Sequence, residues 1–118
     1  MKKQIEKWLQ KLSQDNIDDN GIVALYFGIY ETETGFCLYL IGSKEYDAND
    51  DDWACSVDFE PRGNYLSIDS TMDWEKFLNT VSVIIEECVN EPLISRPKLF
   101  SNKIIAVGFD DGQIIRIK

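Results

Sequence analysis

Four residues of one acidic stretch stand at the ligand positions of a calcium-binding loop: Asp47, Asn49 and Asp51 fall at its first, third and fifth places, and Asp58 at its twelfth. Carboxylates and an amide at that spacing suit a hard cation. The match fails at two defining places. The sixth, where glycine permits the sharp turn, is Asp52, and the twelfth is an aspartate, too short for the bidentate reach of glutamate. Flanking helices are missing too, since the sequence reads as strand on both sides. A paired-carboxylate hydrolase can be drawn from Asp50, Asp51 and Asp52, but adjacent residues of one exposed loop lack the contrast in environment that makes one carboxyl an acid and the other a base.

Other chemistry is thinner still. The chain has no histidine, which removes Ser-His-Asp and Cys-His catalysis, histidine-bearing zinc sites and the commonest neutral-pH base. Cys37 and Cys55 fall in strand-like runs and Cys88 on the apolar stripe of a helix, whereas a reactive thiolate needs an accessible, electropositive setting. No glycine-rich phosphate loop and no nucleophile elbow is present. The expectation is a protein without catalytic residues, resident metal or cofactor, hence not an enzyme.

Charge points elsewhere. Residues 31–60 hold nine acids (Glu31, Glu33, Glu45, Asp47, Asp50, Asp51, Asp52, Asp58, Glu60) against one base, Lys44, so this segment carries −8 of the net −9. Clustered carboxylates repel, and a cation or a basic partner relieves that repulsion. A sequence pI near 4.4 argues against nucleic acid, whose binding depends on lysine and arginine displacing counterions. The residues assigned to a basic protein partner are Glu31, Glu33, Tyr46, Asp47, Asp50, Asp51, Asp52 and Trp53, with the carboxylates steering encounter and the two aromatics serving as buried anchors. The alternative is a solvated loop whose aspartates favour turns by bonding their own backbone, in a structural or regulatory domain that uses its acids for solubility. Weak divalent-ion binding is a third reading.

These residues need a scaffold, and 118 residues with 44% apolar content are enough for one core, a single α+β domain over 1–118. Ile5, Trp8, Leu9 and Leu12 repeat at helical spacing. The polar stretch 13–20 and Gly21 follow. Strands are expected over 22–31 and 36–42 as a hairpin, then over 53–59 and 65–68 around a turn at 61–64. A second helix spans 72–90, with Trp74, Phe77, Leu78, Val81, Ile84, Ile85 and Cys88 on its apolar stripe, a capping-box-like start at Ser70 and Asp73, and Pro92 and Pro97 beyond its end. Strands 104–109 and 113–118 flank Asp111-Gly112, a tight-turn pair.

The order is therefore α-β-β-β-β-α-β-β, a mostly antiparallel sheet with two amphipathic helices. In the first hairpin both alternation sets are apolar or aromatic, which fits one helix on each face, with a tyrosine-bearing interface as the alternative. The basic N-terminus lacks the apolar run of a signal peptide, no window is long enough to span a bilayer, and three scattered cysteines fit a reducing compartment. A cytoplasmic protein without membrane association is expected.

The stretches GIYETETGFCLYLIGSKEYDANDDDWACSVDFEP (residues 28–61) and IIAVGFDDGQIIRI (residues 104–117) resemble the small acidic immunity proteins of bacterial toxin–immunity systems, including contact-dependent inhibition and polymorphic toxin loci. The resemblance implies a cytosolic single domain that binds a cognate toxin domain, often a basic nuclease, and blocks it without chemistry. The assignment of contacts to the acidic loop is an inference from charge.

Overall fold

The computed structural model describes residues 1–13, 21–55, 57–60, 65–90, 103–109 and 114–117. Two helices and a five-stranded sheet make an α+β fold: α1 (Lys2–Ser13), β1 (Ala24–Glu31), β2 (Gly35–Ser43), β3 (Tyr65–Asp69), α2 (Trp74–Asn90), β4 (Ile104–Phe109) and β5 (Ile114–Arg116). The sheet runs β3-β2-β1-β4-β5. Three of its four pairings are antiparallel; β1 and β4 are parallel, in register from Ala24 opposite Ile104 to Ile29 opposite Phe109. Such a pairing requires a crossover, and α2 lies between the two strands in the chain.

The helices form where the apolar period is 3.6. Ile5, Trp8, Leu9 and Leu12 of α1 are all buried, as are Phe77, Leu78, Val81, Ile84, Ile85 and Cys88 of α2. Asp73 caps α2: its Oδ1 accepts the Lys76 backbone N–H at 2.8 Å, satisfying one of the donors a helix start leaves orphaned. Ser70, expected to share a capping box, instead builds the preceding turn by accepting the Met72 N–H at 3.1 Å. Trp74 departs from the expected stripe as well. As the first residue of the helix it is 54% exposed, in a T-shaped pair with Phe109 whose ring centres lie 5.9 Å apart.

Two further expectations are corrected. The strand expected over 53–59 is a short 3₁₀ turn (Asp51–Cys55), followed by one isolated bridge between Phe59 and Gly42. Trp53 and Phe59 serve tertiary contacts, while Val57 is exposed. The helices, moreover, do not take opposite faces. Both pack on the face bearing Leu25, Phe27, Ile29, Phe36, Leu38, Leu40, Ile105 and Val107, which form one core with them. Lys2 of α1 reaches Glu87 of α2 at 3.5 Å, an exposed pair of small energetic weight.

The turns expected at 61–64 and at Asp111-Gly112, the polar stretch 14–20 and the prolines after α2 lie outside the described residues. Among the described residues no helix is long and apolar enough to cross a membrane.

Candidate functional site

Because side chains alternate along a strand, the face away from the helices carries Ala24, Tyr26, Gly28 and Tyr30 of β1, then Cys37, Tyr39 and Ile41 of β2. Tyr65 of β3 stands opposite Tyr39, and Ala106 of β4 opposite Tyr26. A smaller apolar cluster forms here from Ala24, Tyr26, Ile41, Trp53 and Ala106. The acidic loop closes over it. Trp53 is only 4% exposed and meets Tyr26 edge-on at 6.3 Å. The 3₁₀ turn, in place of a strand, lets this ring reach down to the sheet from a loop otherwise committed to solvent.

The aspartates hold the loop's shape. Asp47 Oδ1 accepts the Asn49 N–H at 2.9 Å, and Asp50 Oδ1 accepts the Asp52 N–H at 3.0 Å, two successive turns of the kind aspartate stabilises through its own backbone. Further along, Asp58 Oδ2 accepts the Lys44 N–H at 2.8 Å. Three carboxylates of the calcium-like spacing region thus have an oxygen directed at backbone. Among the described residues no three metal-ligating side chains are gathered as a cation site.

Of the eight residues assigned to partner binding, five share one open groove of about 290 Å³: Tyr46, Asp47, Asp50, Asp52 and Trp53, joined by Glu45. Asp47, Asp50 and Asp52 are exposed on its rim, and Tyr46 is half-buried, with its ring 5.2 Å from Trp53. Asp51 lies in the 3₁₀ turn. Glu31 and Glu33 are exposed but stand apart, at the hairpin end of β1. At about 3.3 Å per residue, β1 places roughly 20 Å between them and the end the loop covers. Trp53 lines the groove but is only 4% exposed, its ring packed against the sheet. Cys55, expected inside a strand, is exposed, whereas Cys37 and Cys88 are buried; none of the three forms a disulfide.

Between these two acidic ends lies the tyrosine-bearing face, the alternative interface that the hairpin's alternation offers. Tyr39 lies across β1 at Gly28, where a side-chain carbon would run into its ring. Glycine is what admits this close approach. From there Tyr39 meets Tyr26 at 6.1 Å, Tyr30 at 6.2 Å and Tyr65 at 6.2 Å. Tyr26 itself is buried and donates its hydroxyl to the Gly108 carbonyl at 3.1 Å, a satisfied polar tip in an apolar setting. Tyr30 and Tyr65 remain 38% and 58% exposed. The signal that would have found this surface was the second apolar alternation set of the hairpin, rich in tyrosine. β5 adds one more element: the Arg116 guanidinium stands over the Tyr46 ring, 5.5 Å from its centre. Comparison of the chain with family models, with curated proteins and with solved structures returned no match.

Proposed function

We propose that this chain is a cytoplasmic immunity protein that binds and neutralises a cognate basic toxin domain, of which a nuclease is the class implied by the resemblance, without performing chemistry itself. The observation that carries the reading is the groove with exposed Asp47, Asp50 and Asp52 around the half-buried Tyr46. Negative charge held in a fixed shape is suited to accelerating and orienting the approach of a cationic surface, and an aromatic floor offers contact area at small entropic cost. The internal hydrogen bonds of the aspartates leave their charge in place. They also support the competing reading, a structural or regulatory domain with a solubilising loop, which requires no partner.

Expression in a host cell separates the two. The product of the open reading frame immediately upstream, expressed alone, is expected to arrest growth, and co-expression of this chain to restore it, with the two proteins co-purifying as a stoichiometric complex. Arrest unrelieved by the chain, with no complex formed, would leave the acids with a solubilising role only.

A further inference from the structure

We infer that the sheet face opposite the helices is a docking surface for an extended, arginine-bearing segment of a basic partner, with Tyr30 and Tyr65 as the rings on which its guanidinium groups stack. This deepens the toxin-binding reading and rests on it for the partner's biological identity. Three observations carry it. First, the rings of Tyr46, Trp53, Tyr26, Tyr39, Tyr30 and Tyr65 form one continuous run, with every step between 5.2 and 6.3 Å. The run leaves the acidic groove, passes under the loop and surfaces at two exposed tyrosines. Second, acids bound the surface at both ends: Asp47, Asp50 and Asp52 at the groove, and Glu33 of the hairpin turn with Asp69 of β3 at the other, where Asp69 Oδ1 accepts the Thr34 hydroxyl at 2.9 Å. A chain with regularly spaced positive charge matches that layout, and an acidic or purely apolar segment does not. Third, the molecule already makes the contact in question, since Arg116 stands over Tyr46 on this same run. Arginine over a tyrosine face gains from both the ring quadrupole and planar stacking.

The test is titration of the isotope-labelled full chain with a short peptide alternating arginine and serine, followed by amide and side-chain NMR. The peptide's arginine side-chain protons are expected to move upfield under ring currents, and the largest amide changes to fall at Gly28, Tyr30, Tyr39 and Tyr65. Replacing both exposed rings (Tyr30→Ala with Tyr65→Ala) should weaken binding by about tenfold, the sum of two partly exposed cation–ring contacts. The matching Tyr→Phe pair should bind as the parent does, because it keeps both rings, and a citrulline peptide, planar but uncharged, should not bind. Changes confined to residues 45–53, with unaltered affinity in the double alanine variant, would overturn the inference. The growth assay is scored separately: protection by a chain whose tyrosine face ignores the peptide removes this inference alone, whereas peptide stacking without protection removes the toxin reading alone.

Discussion

Truncation of Phe77 to alanine is expected to cost about 3–5 kcal/mol, the range for deleting a fully buried aromatic side chain and leaving a cavity. Phe77 has no exposed surface and stacks on Phe36 with ring centres 3.9 Å apart, and Phe36 in turn meets Phe109 edge-on at 5.9 Å. The substitution thus removes the contact through which α2 grips β2 and, by way of Phe36, β4. Urea unfolding should show the midpoint falling while the slope stays that of the parent, because the surface exposed on unfolding is unchanged. Trp74→Ala is the internal control: its ring is more than half exposed, so its loss should cost far less. Equal effects from the two variants would mean that α2 presents a different face to the sheet.

Trp53→Ala is expected to lower stability by about 3 kcal/mol and, more tellingly, to do so from the loop. The ring ties the acidic segment to the sheet, meeting Tyr26 at 6.3 Å and joining the cluster of Ala24, Ile41 and Ala106. Without it, the five acids of residues 45–52 (Glu45, Asp47, Asp50, Asp51 and Asp52) have less to hold them down against their mutual repulsion. Hydrogen exchange should report this directly: the Asn49 and Asp52 amides, each bonded to an aspartate two residues earlier, should lose protection before the strand amides do. A variant of parental stability and protection that only released a bound partner faster would place the ring at an interface and contradict its buried position.

How much of this was legible in the sequence depended on how local the cause was. Both helices follow from spacing, because Ile5, Trp8, Leu9 and Leu12, like Phe77, Val81, Ile84 and Ile85, admit one periodic reading. The first hairpin follows from two apolar runs around a polar turn, and β1 pairs with β2 over eight residues. Where side chains serve distant contacts, pattern misleads. Residues 53–59 alternate like a strand, but Trp53 is apolar because it covers Tyr26, and the Asp50 side chain bends the backbone just before it. The parallel partnership of β1 and β4 has no local signature at all. The placement of both helices on one face was equally hidden: Ala24, Tyr26 and Ile41 needed burial on the second face, and alternation cannot say whether a helix or a loop supplies it.

The candidate site divides in the same way. Acidity, and the grouping of Tyr46, Asp47, Asp50, Asp52 and Trp53, were readable from proximity in the chain. The tyrosine face was legible only as the hairpin's second alternation set; its continuation across three strands by way of Gly28 was not, because the missing side chain matters only once Tyr39 lies over it.

The measurement closest to the central claim is the association rate of this chain with the product of the upstream open reading frame, followed by surface plasmon resonance at low and high salt. The parent protein should associate at least tenfold more slowly between about 20 mM and 500 mM salt, as screening shortens the reach of the acidic groove. A variant combining Asp47→Asn, Asp50→Asn and Asp52→Asn keeps a side-chain carbonyl to accept the loop's backbone N–H groups, and so should melt like the parent. It should nevertheless associate more slowly at low salt, with a clearly flatter salt dependence. An association rate that ignores salt in the parent, or that is identical in the parent and the variant, would contradict the claim that these carboxylates bring a basic partner in.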